Sequence, residues 1–278
     1  MIVMHQLSPI EIKHIQTLFS KADSLIISAG AGMGVDSGLP DFRGNQGMWR
    51  AYPELGKQRI DFTEIANPAA FKFQPNLAWG FYGHRLALYR QTLPHQGFNL
   101  LKQLAEKLEL PYFVFTSNVD GQFQKAGFDP NQIYECHGSI HHFQCSEPCQ
   151  LTTWSADELT PEIDHQNCQW LGQLPLCPHC GKLSRPNILM FNDSAWVSQR
   201  HAQQASRLEN FLEAHNQSIV IEIGAGTGIP TVRYFSERFA PNLIRINPRE
   251  HALPSKGGIA LATNAEMGIQ SIYQIFMQ

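Results

Sequence analysis

The chain has 278 residues, of which 43% are hydrophobic and 10% aromatic, enough to bury one large core or one core with a small additional module. This composition excludes a disordered or fibrous chain. The 21 Lys and Arg residues against 24 Asp and Glu residues leave a formal charge of -3, which excludes a basic field that would attract nucleic acid or an acidic membrane surface.

The N-terminus has no pattern of a secretory signal, because residues 1–6 lack a basic stretch followed by an apolar run. The most apolar stretches, around residues 25–35 and 219–229, are short and interrupted by Gly or Glu, so neither is expected to span a bilayer. We therefore expect a cytoplasmic protein that binds neither nucleic acid nor membranes.

The first predicted element is a helix that begins at Ser8-Pro9-Ile10-Glu11 and runs to about Lys21. Ser8 can cap this helix, Pro9 suits its first position, and Glu11 can reach back as a capping box. The apolar run of residues 24–28 then predicts a buried parallel strand that ends in a Gly-rich turn.

The later segments continue to alternate between strands and helices. We predict helices over 96–108, 231–239 and 267–276, and strands over 112–116, 218–223 and 242–246. This alternation predicts an α/β fold with a Rossmann-like, doubly wound parallel sheet. Two stretches interrupt it: residues 45–85 are rich in aromatic residues and Pro, and residues 143–185 hold five of the six cysteines.

The cysteines favour a metal site. All six lie in one 45-residue window, whereas a disulfide framework would spread them through a short secreted chain. Cys145-x3-Cys149 and, after a gap of 27 residues, Cys177-x2-Cys180 have the spacing of a structural, tetrahedral zinc site with no position open for catalysis. Cys168 lies between the pairs and could replace one ligand, although a free thiol is the better interpretation.

The Gly-rich turn after the first strand is the first nucleotide signal. Neither Gly30 nor Gly32 has a side chain to keep backbone N–H groups away from a pyrophosphate. A full dinucleotide fingerprint would place its third Gly at position 35, where this chain has Val35. On these residues alone, a Gly-rich turn without a ligand remains an alternative.

The continuation of this turn, residues 30–44, closely resembles the NAD-binding signature of the sirtuin family. Further resemblances follow in the family's order across about residues 24–250: a second NAD motif at 116–120, the catalytic His-Gly segment at 135–139, the strand to the substrate cleft at 185–191, and cofactor contacts at 224–227 and 246–247. The resemblance implies that NAD is consumed. Nicotinamide leaves, an acyl-lysine carbonyl oxygen attacks the ribose C1′, and the acyl group ends on ADP-ribose.

The resemblance also assigns roles to residues. His137 would be the general base on the ribose hydroxyls, because imidazole titrates near neutral pH. Asn118 and Asp120 would hydrogen-bond the nicotinamide carboxamide. The implied cofactor-binding residues are Gly30, Ala31, Gly32, Asp41, Phe42, Arg43, Ser117, Asn118, Asp120, Gly224, Gly226, Thr227 and Asn247. The alternatives are a structural histidine and an ordinary Asn-x-Asp turn.

Tyr82-x2-Arg85 resembles the pair with which some sirtuins bind the carboxylate of acidic acyl groups such as succinyl. A cation and a phenol hydroxyl suit that ligand. Because the two residues share a helix face, a surface Arg beside a packing Tyr is the alternative.

Four positions depart from the family pattern. Most members have Gln where this chain has Ser117 and Ser where it has Gly34, and Asn192-Asp193 replaces the usual Gly-Glu. Residues 32–34 (Gly-Met-Gly), 116–121 (Thr-Ser-Asn-Val-Asp-Gly) and 137–142 (His-Gly-Ser-Ile-His-His) together resemble a microbial branch associated with macrodomain proteins, for which protein ADP-ribosylation has been proposed.

Three functions follow from this sequence. The first is an NAD-dependent protein-lysine deacylase acting on acylated or lipoylated proteins, the second an NAD-dependent protein ADP-ribosyltransferase, and the third an NAD- or ADP-ribose-binding module with little turnover. The expected domains are an NAD-binding large domain (1–44, 86–142 and 186–278), a helical, cofactor-loop module (45–85) and a zinc-binding module (143–185).

Overall fold

The computed structural model describes residues 6–40 and 44–277, the side chains of residues 44–46 excepted. The strands are β1 (Ser24–Ala29), β2 (Tyr112–Thr116), β3 (Ile133–Glu135), β4 (Gly138–Cys145), β5 (Trp154–Ser155), β6 (Ile163–Asp164), β7 (Gln169–Trp170), β8 (Ser184–Ile188), β9 (Ser218–Ile223), β10 (Leu243–Ile246) and β11 (Ile259–Leu261). The helices are α1 (Pro9–Phe19), α2 (Gly44–Ala51), α3 (Pro53–Lys57), α4 (Phe62–Ile65), α5 (Pro68–Phe73), α6 (Pro75–Gln91), α7 (Gln96–Lys107), α8 (Gln122–Lys125), α9 (Gln199–Ala214), α10 (Thr231–Glu237) and α11 (Ala265–Ile275).

The large sheet has the predicted doubly wound topology. Its six strands pair in parallel in the order β11-β10-β9-β1-β2-β3. The chain builds outward from β1 to β3 and later returns at β9, so the order reverses between β1 and β9. In such sheets, ligands bind in the crevice at the carboxyl ends of the strands beside this reversal.

The first helix begins as its sequence predicts. Ser8 Oγ accepts a hydrogen bond from the Glu11 amide (3.3 Å), and a Glu11 carboxylate oxygen accepts one from the Ser8 amide (2.8 Å). This reciprocal cap satisfies two of the amides that a helix N-terminus leaves unpaired. The helix ends at Phe19, close to the expected Lys21.

Several elements escaped the sequence analysis. Strands β3 and β11 have three residues each, too few to show a periodic pattern. Helix α9 was also missed, although it has 16 residues and spans a segment that we left unassigned. It packs against β3 and so covers the edge of the sheet.

The two stretches that interrupt the alternation share one hydrophobic core. Aromatic residues of α6 such as Trp79 pack against Phe143 of β4 and Trp170 of β7, with ring centroids 5.3 and 5.5 Å apart. Cys168 is buried in the same cluster. The helical and cysteine-rich stretches therefore form one body beside the sheet, and the proposed domain limits remain a prediction.

A buried ion pair joins the middle of the sheet. Arg245 of β10 donates from Nε and Nη2 to the two carboxylate oxygens of Glu222 on β9, at 2.6 and 2.9 Å. The two residues face each other in register, and both side chains are almost fully buried. This two-point geometry compensates for the loss of water around both charges.

Within residues 6–40 and 44–277, no helix combines the length and the apolar character that crossing a bilayer requires.

Candidate active site

The turns after β1 and β9 press directly against each other. A Cβ on Gly32 would lie 2.6 Å from the Gly224 Cα, and one on Gly30 would lie 2.8 Å from the Ala225 Cα, closer than side-chain carbons approach backbone. The amides of Gly30 and Gly32 donate to the carbonyls of Ile223 and Gly224 at 2.9 and 3.0 Å. Glycine is therefore required at positions 30 and 32 so that the turns after β1 and β9 can meet, in addition to any role in binding a nucleotide.

The turn after β2 carries the two predicted nicotinamide residues, Asn118 and Asp120. Asn118 donates from Nδ2 to the Gly30 carbonyl at 3.0 Å, which ties the β2 turn to the β1 turn. Ser117 donates its backbone amide to the Ala29 carbonyl at 3.2 Å. The side chain of Asp120 is buried, and its Oδ1 accepts the Gln122 amide at 2.9 Å.

Burial changes the acidity of Asp120. Loss of hydration raises its pKa from 3.8 to about 6, and the hydrogen bond from Gln122 and the charge of Arg85 only partly oppose this effect. A carboxyl group with this pKa is ionised at neutral pH and takes up a proton in mild acid. It can therefore accept a hydrogen bond from an amide ligand, such as a carboxamide NH2, at pH 7.

His137 lies just beyond β3, where the chain turns into β4. Its Nε2 lies 3.4 Å from the hydroxyl of Thr231, the first residue of α10. Its own carbonyl accepts the Leu189 amide at 2.9 Å, which fixes the backbone of the turn to the segment after β8. The ring therefore sits where the loops after β3, β8 and β9 converge.

The environment of His137 keeps its imidazole neutral. Burial lowers the pKa below its usual 6.5, nearby His201 lowers it further, and a hydrogen bond to the Ser117 carbonyl opposes the shift. At pH 7 such a ring has a free nitrogen lone pair, which is what a general base requires.

Side chains from the segment after β10 form hydrogen bonds with the loop that follows β9. Asn247 is fully buried, and its Nδ2 donates to the Ala225 carbonyl at 2.9 Å. Thr227 donates its amide to a Glu250 carboxylate oxygen at 3.1 Å, and its hydroxyl donates to the same oxygen. A phosphate that bound to Thr227 would replace the Glu250 carboxylate as the acceptor.

The substituted Asn192-Asp193 pair forms an ordered turn. Asn192 has a φ of 55°, a left-handed conformation that Asn tolerates better than most other residues with side chains. Asp193 pairs with Arg185 of β8 at 2.8 Å, both side chains being fully buried. The same carboxylate accepts the Ala195 amide at 3.2 Å, so it organises the loop that follows the strand.

Tyr82 and Arg85 lie on α6 inside the small body, with exposures of 1% and 7%, so the surface alternative for Arg85 is wrong. Arg85 donates from Nε and Nη2 to the Tyr89 hydroxyl at 3.0 and 2.8 Å. Its guanidinium also lies over the rings of Phe81 and Tyr82, 5.3 and 5.5 Å from their centroids. The charge of Arg85 acts on Asp120, which links this cluster electrostatically to the crevice.

The four predicted metal ligands meet at the far end of the small body. The sulfur atoms of Cys145, Cys149, Cys177 and Cys180 all lie within 4.8 Å of one another. Two of the separations, Cys145 to Cys180 and Cys149 to Cys177, are 3.6 and 3.7 Å. They match the sulfur spacing around a zinc ion with bonds of about 2.3 Å and exceed the disulfide length of about 2.05 Å. The cluster thus fits structural zinc, and Cys168 is not part of it.

Comparison with known proteins agrees with this arrangement. Residues 30–229 match the Sir2 family. The chain belongs to that family. An NAD-dependent protein deacylase of Aquifex aeolicus is 28% identical over 253 residues, 90% of this chain and 94% of the relative. A Pyrococcus furiosus protein of the same name is 33% identical over 180 residues, 65% of each chain.

Solved structures confirm the Sir2 fold. A Sir2 homologue in complex with NAD superposes with a TM-score of 0.73 at 24% identity, covering 98% of this chain and 96% of that one. A second Sir2 protein, bound to a propionylated peptide, gives a TM-score of 0.68 at 19% identity, with coverages of 95% and 98%. At these identities, the likeness establishes the fold alone.

The structure brings together most residues that the sequence singled out. Asp41, Phe42 and Arg43, predicted to cover the cofactor, lie outside the described residues. Two contributors were missed in this Sir2-family chain: Thr231 beside His137, and Tyr89 beside Arg85. Tyr89 could have been found, since it lies four residues after Arg85 on the same helix face, whereas Thr231 is distant in sequence from His137.

Proposed function

We propose that this Sir2-family protein is an NAD-dependent protein-lysine deacylase. The observation that carries the proposal is the position of His137, half-buried where the loops after β3, β8 and β9 converge, with its Nε2 3.4 Å from the Thr231 hydroxyl. Asn118 and Asp120 lie in the turn after β2. The proposed general base and the two proposed carboxamide-binding groups thus all follow the carboxyl ends of strands of one parallel sheet.

The residues would share the work as follows. Bound NAD supplies the C1′–nitrogen bond that breaks when nicotinamide leaves. Asn118 and Asp120 would bind the carboxamide and hold the nicotinamide ring in place. His137 would accept a proton from a ribose hydroxyl, which then becomes the nucleophile that receives the acyl group. Thr231, in contact with His137 Nε2, would orient the ring toward that hydroxyl.

The test is an incubation of zinc-replete protein with NAD and acyl-lysine substrates, followed by mass spectrometry. The panel contains acetyl-, succinyl- and lipoyl-lysine peptides and intact lipoylated carrier proteins. We expect loss of the acyl mass with a matching amount of acyl-ADP-ribose. Retained acyl groups with ADP-ribose added to protein would refute deacylation in favour of the transferase. NAD binding without either product would identify a binding module.

His137→Ala provides the mechanistic control. We expect it to keep NAD affinity within a fewfold and to lower the turnover number by at least 100-fold, within the range for loss of a general base. His14→Ala removes an exposed imidazole from α1 and serves as the matched control with unchanged turnover. Full activity of the His137 variant would contradict its assignment as the base.

A finer part of the proposal concerns the acyl group. Arg85 and Tyr82 would bind the carboxylate of a succinyl-type group, with Tyr89 holding the guanidinium in place. Arg85→Met should then abolish desuccinylation while sparing deacetylation, and equal losses of both would refute the selector role. A lipoylated acceptor protein and a cytoplasmic location remain predictions.

A further inference from the structure

A second cavity lies on the edge of the sheet, away from the turns after β1 and β9. It has a volume of about 930 Å³ and is bounded by α8, by α9, by the start of β4 and by β5. This size falls within the roughly 300 to 1,000 Å³ of sites that hold small molecules. Of the residues that we assign to NAD, only Asp120 touches it.

The cavity lining is strongly cationic. Among the described residues that line it, Arg90, Lys125, Arg200 and Arg207 are basic, and Asp120 is the one acidic residue. The chain as a whole is slightly acidic, with a formal charge of -3, so this concentration of positive charge is local. Clefts lined by one sign of charge attract ligands of the opposite sign.

Not all of this charge is available to a ligand. Arg200 forms an ion pair with the buried carboxylate of Glu135. Arg90 donates from Nη1 and Nη2 to the carbonyls of Leu159 and Ala156, both at 2.6 Å. These two residues mainly hold the walls together, and the negative charge of nearby Asp157 acts on Arg90 as well.

Lys125 and Arg207 are the better candidates for contact. Lys125 donates to the carbonyls of Arg90 and Thr92 at 2.6 and 2.7 Å, which uses two of the three protons of an ammonium group. Arg207 donates from Nε to the Asn131 carbonyl at 3.0 Å, which anchors the side chain. The two terminal nitrogens of its guanidinium can then donate together to a ligand.

The remaining lining suits an organic anion. Trp154, half-buried, contributes an aromatic ring, and Gln203 on the exposed face of α9 contributes an amide. His141 and His142 also line the cavity, and burial lowers the pKa of both, so they are neutral at pH 7. His141 uses its one N–H on the Asp120 carbonyl and offers a ligand only an acceptor nitrogen, whereas His142 can donate. Amides, imidazoles and the aromatic rings of Trp154 and Tyr89 around a cationic centre match the polar and apolar parts of a small metabolite.

We propose that this cavity is a second binding site, for a small phosphorylated metabolite held through Lys125 and Arg207. The guanidinium fork binds two oxygens of either a phosphate or a carboxylate. Phosphate is favoured over a single carboxylate because it carries a second negative charge, which the ammonium group can neutralise. The cavity shares Asp120 and Tyr89 with the residues of the deacylase proposal, but Lys125 and Arg207, which would hold the ligand, have no role in that proposal.

The inner wall of the cavity is the turn that carries Asp120. His141 donates from Nε2 to the Asp120 carbonyl at 2.9 Å, and its ring lies against Gly121, where a Cβ would come within 2.7 Å of the ring. Gly121 has a φ of 70°, so the turn requires glycine for its conformation as well. The proposed ligand would therefore bind behind the turn whose other residues face the NAD crevice.

The test is isothermal titration calorimetry of inorganic pyrophosphate into the zinc-replete full chain at low salt, with no NAD present. The Lys125→Gln, Arg207→Gln double variant should bind at least tenfold more weakly, and raising the salt from 50 to 300 mM should weaken binding to the unaltered protein. Lys13→Gln with Lys21→Gln removes the same charge from exposed positions on or beside α1 and should leave the affinity unchanged.

A second pair of variants guards against misfolding, since Lys125 and Arg207 also hold backbone carbonyls. Gln203 is exposed, so Gln203→Glu adds a negative charge to the cavity without removing an internal contact and should also weaken pyrophosphate binding, whereas Gln203→Ala should not. Unchanged affinity in the double variant and in Gln203→Glu would assign pyrophosphate to the NAD crevice and overturn the proposal. The absence of saturable pyrophosphate binding would also overturn the proposal. Citrate binding as tightly as pyrophosphate would refute the preference for phosphate.

Discussion

Asp120→Asn should make this protein more stable at neutral and alkaline pH while inactivating it. The buried carboxyl has its pKa raised from 3.8 to about 6, so its ionised form is disfavoured in the folded state. This difference corresponds to about 3 kcal/mol of folding free energy, because a tenfold change in an equilibrium constant is about 1.4 kcal/mol. Asn removes the charge and keeps an oxygen that can accept the Gln122 amide.

The sign of the pH dependence follows from the direction of the shift. The pKa of this carboxyl is higher in the folded than in the unfolded state, so below pH 3.8 it is protonated in both states and does not lower the free energy of unfolding. That free energy falls as the pH rises from 3.8 through about 6. Asp120→Asn should therefore exceed the unaltered protein by about 3 kcal/mol at pH 8 and by about half of that at pH 5.

Urea unfolding followed by circular dichroism at pH 5 and pH 8 measures both differences, and loss of deacylation measures the cost to function. Asp157→Asn, at an exposed aspartate, is the control and should change stability by less than about 0.5 kcal/mol at either pH. A stability difference that does not change between the two pH values would refute the reasoning, because a conformational effect of Asn would not titrate.

Three further changes test the rest of the molecule. Elemental analysis should find one zinc per chain. Cys177→Ser should lose this zinc, while Cys168→Ser should retain it. Zinc retained by the Cys177 variant would contradict the ligand assignment. Gly32→Ala should raise the KM for NAD at least tenfold, because its methyl group would strike the β9 turn, whereas Gly228→Ala, with open space around it, should not. Arg245→Met should cost about 3 to 5 kcal/mol in urea unfolding, since it leaves a carboxylate buried without its partner, and a change below 1 kcal/mol would refute that account.

Much of the framework was predictable because its signals are local. The strands over 24–28, 112–116 and 218–223 were found within one residue, since fully buried parallel strands are short, unbroken apolar runs bounded by turns. The capped start of α1 was found because Ser8 and Glu11 satisfy each other across a single turn. Segments of three residues, such as β3 and β11, carry too little pattern to be recognised.

The site was predictable to a different degree. Asn118, Asp120 and His137 were identified from the motifs around them, and they lie in the turns that follow β2 and β3. Their chemical states could not be predicted, because burial of a carboxyl or an imidazole depends on which distant segments cover it. Thr231, 94 positions from His137 in sequence, meets it only through the fold.

The sequence by itself determined the fold class, the order of the motifs and the four ligands of the metal site, because each rests on spacing within a short segment. The tertiary structure decided why Gly30 and Gly32 are glycines, how the two inserted stretches share one core, and where the cationic cavity lies. These features arise where segments far apart in the chain come into contact, and local periodicity contains no information on such contacts.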